Sequence, residues 1–334
     1  MQALAPTIAL FLGSALVIYF ACEYFVNGVE WVGRRFDIDQ KATGTILAAA
    51  GTALPESVVT FVAVVFGATP AAKEIGVGAA VGGPLVLSTL AYAVVGWTLF
   101  AVRRPMPADP AIEREFKTLA RDQSWFLVIF VLVVVSGLVA FPGKAWLGLA
   151  LAGAYGAYFW KEMRGQGGDV EGELEPLKIA PRLSQPPAWL ALVQTLAALV
   201  VIFFASRTFV DQMQVLGPHL GLKPQLLALL LSPIATELPE VLNAVIWVRE
   251  GKIKLALANI SGAMMIQATV PSALGLIFTP WKLDPALILG AATAAVSTAL
   301  LFLLFRRGRI SRATLSAFGL LYAAFALALV VTRF

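Results

Sequence analysis

Long apolar runs separated by short polar connections make up most of the chain. Ten of these runs are close to 20 residues, the length that an α-helix needs to cross the hydrocarbon core of a bilayer. The predicted spans are 6–26, 42–66, 75–100, 123–141, 145–160, 188–208, 224–248, 254–278, 284–305 and 312–332. Because the first run lacks a basic segment before it, we interpret it as a span rather than a signal peptide. We predict an all-α polytopic membrane protein.

The positive charges predict the orientation of these spans. Of the 25 Lys and Arg residues, 19 lie in or at the edges of the odd-numbered connections. By the positive-inside rule those connections are cytoplasmic, which places both termini outside and the protein in the plasma (inner) membrane. The composition agrees, with 59% hydrophobic and only 13% charged residues. The net charge of +5 is explained by these loops, so no nucleic-acid partner is predicted.

The chain divides into two halves joined by a polar linker. Residues 1–160 hold spans one to five, residues 161–187 form the predicted cytoplasmic linker, and residues 188–334 hold spans six to ten. Since each half has an odd number of spans, the second half must cross the membrane in the opposite sense. Setting residues 12–56 over 196–240 without gaps gives 13 identities in 45 positions. We therefore predict two inverted five-helix repeats.

Each half carries a Pro-Glu pair within a predicted span. The sequences are Gly-Thr-Ala-Leu-Pro-Glu at 51–56 and Ala-Thr-Glu-Leu-Pro-Glu at 235–240, and we call them the acidic motifs. A glutamate at membrane depth is costly and marks a functional site. Proline kinks the helix and frees backbone carbonyls near Ala49 and near Pro233. Two such motifs in matching positions are the pattern expected of a transporter whose site lies between its repeats.

Oxygen atoms dominate the groups that these motifs supply. Glu56 and Glu240 offer carboxylates, and Thr52 and Thr236 offer hydroxyl oxygens. Hard cations such as Ca²⁺ take six to eight oxygen ligands from carboxylates, carbonyls and water. Gln267 follows a small-residue patch in span eight, an otherwise apolar helix, and we predict that it also faces the ion.

At these residues the chain resembles the cation/calcium exchanger superfamily, in particular its sodium/calcium exchanger branch. The resemblance covers nearly the whole length and rests on the two acidic motifs, the linker after span five and the repeats. It implies that Glu56 and Glu240 coordinate calcium centrally, with Thr52 and Thr236 donating backbone or hydroxyl oxygens. It also implies alternating access, in which spans one and six slide across a fixed core.

The chain departs from that family pattern at positions next to the motifs. Members usually have Ser after the Thr of each motif, where this chain has Ala53 and Glu237. Members also usually have, in each of spans three and eight, a Gly-Ser pair followed four residues after the Ser by Asn or Asp. In span three this chain has Gly82-Gly83 in place of the pair and Leu87 in place of the Asn or Asp. In span eight the pair is Gly262-Ala263, followed by Gln267. One acid is therefore missing from span eight and a new one stands in span seven.

These departures leave the coupling ion open. Our leading hypothesis is an antiporter that exchanges Ca²⁺ or a similar divalent cation for Na⁺. The alternative is proton coupling, because Glu237 and Glu240 lie three residues apart and two carboxylates in a low-dielectric site favour retention of a proton. A third class, an intramembrane enzyme or receptor-like binding protein, lacks the paired Asp, HExxH or Ser-His pattern of a hydrolase. We predict a transporter with no cofactor and no obligatory protein partner, with inorganic cations as its ligands.

Overall fold

A computed structural model describes residues 4–35, 54–106, 110–164 and 174–332. Helices account for most of them, and this part of the chain contains no β-strand. We number the helices α1 (Leu4–Arg35), α2 (Leu54–Phe66), α3 (Pro70–Ala101), α4 (Pro110–Leu138), α5 (Lys144–Arg164), α6 (Ala188–Leu220), α7 (Pro224–Glu250), α8 (Ile253–Phe278), α9 (Pro285–Arg306) and α10 (Arg312–Thr332).

Within the described residues, eight helices are long and apolar enough to cross a membrane, judged by length and composition. The described parts of α2 and α5 are not among them. The prediction of an all-α polytopic membrane protein is confirmed, whereas the number of ten spans and the inverted repeats remain predictions.

Three helices extend beyond their predicted spans because hydropathy measures only the part that matches the hydrocarbon core. Helix α1 continues to Arg35, α6 continues to Leu220, and α4 begins at Pro110 rather than at 123. The added turns of α4 are amphipathic, and Ile112, Phe116 and Leu119 are buried in the core. These turns are helical because one apolar stripe packs, although their charge keeps them out of a hydropathy window.

The interior is built around α3 and α8, which are the most completely buried of the candidate spans. Helix α8 packs on α4 and α5, and α3 packs on α9 and α10. Helix α4 also packs on α9, and α1 packs lengthwise on α6. Small residues in α3 allow close approach, since a Cβ on Gly78 would lie 2.3 Å from the carbonyl oxygen of Gln225 in α7.

The last part of the predicted linker is docked rather than solvated. Helix α5 continues to Arg164, and residues 174–187 contact α1 and α6. The indole of Trp31 donates to the carbonyl of Glu175 at 2.9 Å, and the side-chain oxygen of Gln194 accepts from the N–H of Ile179 at 2.9 Å. Leu177 is fully buried beside Trp31. This segment therefore ties α1 to α6 at one end of the pair.

Candidate functional site

Helix α7 is interrupted at the second acidic motif, residues 235–240. It consists of two 13-residue segments, Pro224–Thr236 and Leu238–Glu250, joined at Glu237. Pro239 has no N–H and crowds the carbonyl four residues earlier, which breaks the helix at this point. At 1.5 Å per residue the break lies roughly 20 Å from either end of α7. The motif therefore lies near the middle of α7.

The break frees less backbone than the motif suggested. The N–H of Glu237 donates to the carbonyl of Pro233 at 2.9 Å, so that carbonyl keeps one lone pair for a ligand. The corresponding positions of the first motif, Ala49 and Thr52, lie outside the described residues. Their predicted roles as ligands stay predictions.

Glu56 is completely buried, and two hydroxyls of α7, the helix of the other motif, lie beside its carboxylate. The hydroxyl of Thr236 donates to Oε2 of Glu56 at 2.5 Å, and the hydroxyl of Ser232 lies 3.5 Å from the same oxygen. Ser232 and Thr236 are four residues apart, which places both on one face of α7. The acidic motifs of the two halves therefore meet at this carboxylate.

Glu237 is held by two neutral groups. The side-chain amide of Gln267 in α8 donates to its Oε1 at 2.6 Å, and Thr236 Oγ1 lies 3.3 Å from the same atom. A hydroxyl carries a single proton, so Thr236 can donate to Glu56 or to Glu237 but not to both at once. The hydroxyl of Thr236 therefore links the two carboxylates into one network.

The amide of Gln267 occupies the space that a side chain at residue 83 of α3 would otherwise take. A Cβ on Gly83 would lie 2.5 Å from Oε1 of Gln267 and 2.8 Å from its Cδ. At the same position the family pattern has a serine, which this space would not accept with Gln267 as it lies. The two departures from the family pattern, glycine in place of serine at residue 83 and glutamine at residue 267, are therefore coupled by packing.

Glu240 is also completely buried, in the first turn of the second segment of α7. A carboxylate at the N-terminus of a helix is favoured by the helix dipole. Cys22 of α1 lies within electrostatic range of Glu240. This places α1 beside the second motif.

The site concentrates negative charge without cationic side chains to balance it. Glu56, Glu237 and Glu240 are each at most 1% exposed. In the described part of the chain, no Lys or Arg forms an ion pair with Glu56 or Glu237. Burial of an ionised carboxylate costs on the order of several kcal/mol, even after the surrounding protein relaxes. Such a cluster requires bound cations or protons.

Several oxygens in this cluster are buried acceptors to which none of the described residues donates a hydrogen bond. They are Oε1 of Glu56, Oε2 of Glu237 and Oε1 of Gln267. Among the described residues, no three His, Cys, Asp or Glu side chains converge closely enough to hold a metal by themselves. A cation here would therefore also draw on hydroxyl, amide and carbonyl oxygens, which is the mixed donor set that Ca²⁺ accepts.

Four of the residues predicted for the site are joined by hydrogen bonds: Glu56, Thr236, Glu237 and Gln267. Pro233 and Glu240 lie on the same stretch of α7. The sequence prediction missed Ser232, although it lies one helical turn before Thr236 and its counterpart in the aligned repeat is Ala48.

Comparisons with known proteins agree with this architecture. The sequence model of the sodium/calcium exchanger protein family matches residues 6–161 and 190–331. The chain is similar to "Putative antiporter CaxA" of Alkalimonas amylolytica, with 26% identity over 92% of both chains. It is also similar to the inner membrane protein YrbG of Escherichia coli, with 27% identity over 84% of this chain and 82% of that one.

Two solved structures share the fold. A structure of the H⁺/Ca²⁺ exchanger CAX matches with a TM-score of 0.66 and 17% identity, covering 96% of this chain and 88% of that one. A structure of the sodium-calcium exchanger NCX_Mj matches with a TM-score of 0.58 and 18% identity, covering 98% of this chain and 100% of that one. At these identities the likeness concerns the fold alone.

Proposed function

Since the chain belongs to the sodium/calcium exchanger protein family, a family of transporters and not of enzymes, we propose that it is a secondary active antiporter that exchanges Ca²⁺ or a similar divalent cation for Na⁺. The observation that carries this proposal is the network of buried acidic and neutral oxygens between α2, α7 and α8. Within the described ranges, several of its acceptors receive no hydrogen bond and no cationic side chain pairs with Glu56 or Glu237, which favours a positively charged ligand.

The proposed cation ligands come from both halves. Glu56, Glu237 and Glu240 supply carboxylates, while Thr236 and Gln267 supply neutral oxygens. Backbone oxygens of Ala49 and Pro233, together with Thr52, complete the proposed set. The hydroxyl of Ser232, one turn before Thr236, lies at the limit of hydrogen-bond distance from Glu56 and adds a weaker contact to its carboxylate.

Alternating access by two inverted repeats is supported by how the helices pack. If α1 to α5 correspond to α6 to α10, the packing of α8 on α4 and α5 is equivalent to the packing of α3 on α9 and α10. The contacts of α1 with α6 and of α4 with α9 then each join a helix to its own counterpart in the other half. Because α1 and α6 pack on each other and are tied by residues 174–187, we propose that they slide as one unit across the remaining helices.

In the proposed orientation the protein lies in the plasma membrane. Both termini are outside the cell and the linker is in the cytoplasm. A cysteine introduced near Gly167 should then react only with reagents that enter the cytoplasm, and one near Phe334 with impermeant reagents. The opposite labelling pattern would reverse the orientation.

Proton coupling is the second candidate function, and Glu237 is the residue that favours it. It has no cationic partner among the described residues and shares the hydroxyl of Thr236 with Glu56. A proton on Glu237 would relieve the repulsion between these carboxylates, as a cation would.

Transport by the purified protein in liposomes separates these candidates. Calcium flux is measured with a sodium gradient at equal pH on both sides, and then with a pH gradient in the absence of sodium. Stimulation by the sodium gradient alone supports sodium exchange, and stimulation by the pH gradient alone supports proton exchange. Absence of divalent flux under both gradients would contradict the proposed function.

A further inference from the structure

A second polar feature lies far along the chain from the acidic motifs, where α4 meets α5 and α8 meets α9. A cavity of about 460 Å³ opens between these two connections. It is an open groove rather than an enclosed pocket. Its lining is largely apolar, with Phe141, Pro142, Leu276 and Ile277 among the residues that form it.

Two lysines supply the charge of this cavity. Lys144, at the start of α5, and Lys282, in the connection before α9, both line it. None of the residues that line the cavity is acidic. The acid nearest to Lys282 in sequence, Asp284, accepts the N–H of Leu287 at 2.8 Å and so caps α9. The two like charges therefore favour an anion between them.

Lys144 is fixed in place, with one donor left over. Its ammonium donates to the carbonyls of Pro280 and Trp281 at 3.2 and 3.0 Å, which anchors it between the two connections. An ammonium has three N–H donors, so one remains for a ligand. The first turn of α5 begins at the same residue, and its N–H groups and helix dipole also favour negative charge.

The surroundings of the cavity are those of the bilayer interface. It lies at the ends of the membrane helices α4 and α8, where lipid headgroups are found. Trp146 and Leu149, on the first turns of α5, are 76% and 52% exposed, so an apolar surface continues from the cavity along the helix. A ligand that combines an anionic head with an apolar tail suits this arrangement.

We infer that this cavity, which we call the lysine cavity, binds the phosphodiester headgroup of an anionic phospholipid. Only 6 of the 25 Lys and Arg residues lie outside the odd-numbered connections, and two of these 6 meet here. Basic pockets between membrane helices on the cytoplasmic side bind anionic headgroups, and the same charge attraction would act here, at the outer face on which the predicted orientation places these two connections. The acyl chains would lie along the exposed side chains of α5.

Binding of short-chain lipids to the purified protein, followed by native mass spectrometry, tests this inference. We expect phosphatidylglycerol to bind more tightly than phosphatidylcholine of the same chain length. Lys282→Gln, an exposed position that leaves the anchor of Lys144 in place, should weaken phosphatidylglycerol binding by about fivefold, the effect expected of one lysine at an anionic headgroup. Lys73→Gln is the matched control, since Lys73 is also outside the odd-numbered connections but does not line the cavity, and it should bind as the parent does.

A competition arm identifies the source of the phosphate. Inorganic phosphate should not displace the lipid at concentrations that saturate a free-phosphate site. Displacement by phosphate, equal binding of the two lipids, or unchanged binding in Lys282→Gln would each overturn the inference. None of these outcomes depends on cation exchange, so the inference can fail while the proposed function stands.

Discussion

The two acidic motifs have nearly the same sequence but do different work in the structure. The first, on α2, contributes Glu56, and the hydroxyls that bond to this carboxylate come from Ser232 and Thr236 of the second motif's helix. The second motif contributes two acids and the hydroxyl that links Glu56 to Glu237. Charge is therefore supplied by both halves, and within the part of the chain that the structure describes, which leaves out Ala49 and Thr52, the side-chain hydrogen bonds to Glu56 and Glu237 come from α7 and α8.

This difference shows how a duplicated motif becomes an asymmetric site. Glu237 stands in the second motif at the position that Ala53 occupies in the first, so the second motif carries one more negative charge. The side-chain amide of Gln267 donates a hydrogen bond to the carboxylate of Glu237, from the space left free beside Gly83. The difference between the two motifs that the structure describes therefore lies in Glu237 and in its partner Gln267.

Removal of charge from either motif should have the largest effect. Glu56→Gln or Glu240→Gln should reduce divalent transport to the level of empty liposomes, because each removes a buried carboxylate that a divalent cation requires. Glu74→Gln, a change of the same kind at an exposed position of α3, is the control and should transport as the parent does. Transport at the parent rate by either site variant, at equal protein content, would show that its carboxylate is not a ligand.

The extra acid of the second motif should make the site sensitive to pH. At subsaturating divalent ion, lower pH should weaken apparent affinity, by up to about tenfold per pH unit where one proton is displaced for each ion bound. Glu237→Ser restores the family pattern and should flatten this dependence, since the repulsion between Glu237 and Glu56 is removed. Equal slopes of affinity against pH in the parent and Glu237→Ser would contradict a role for Glu237 in proton competition.

The sequence predicts the membrane helices well because hydrocarbon thickness fixes their length, which a run of apolar residues reveals directly. The acidic motifs are also visible, because a buried glutamate beside a proline is unusual within one helix. The contact of Thr236 with Glu56 joins residues 180 positions apart and depends on how α2 and α7 pack, which no local pattern encodes. The pairing of Gly83 with Gln267 was missed for the same reason, although each residue was noted separately.

A smaller effect should come from filling the space beside Gln267. Gly83→Ala places a methyl group against the amide that bonds to Glu237, and such overpacking costs about 1–3 kcal/mol. We expect weaker divalent affinity in flux measurements, with partial recovery in Gly83→Ala/Gln267→Asn, whose shorter amide leaves room for the methyl group. Gly262→Ala on α8 is the control, because a Cβ there meets no atom within 4 Å. Equal effects of the two alanine substitutions would mean that Gly83 does not act through Gln267.

The smallest effect should come from the hydroxyl that supports Glu56 at long range. Ser232 lies 3.5 Å from Oε2 of Glu56, whereas Thr236 lies 2.5 Å from it and also contacts Glu237. A hydrogen bond to a charged group contributes about 1.5–3 kcal/mol when well formed, and a contact at the limit of the distance range contributes less. We therefore expect Ser232→Ala to weaken divalent affinity less than Thr236→Val does, with both compared in the same flux assay. The Ala48→Ser variant adds the equivalent hydroxyl to the first half, so it tests whether the imbalance between the halves matters. If Ser232→Ala is as severe as Thr236→Val, the hydroxyl of Ser232 positions Glu56 directly, and the organising role assigned to Thr236 is shared along the whole face of α7.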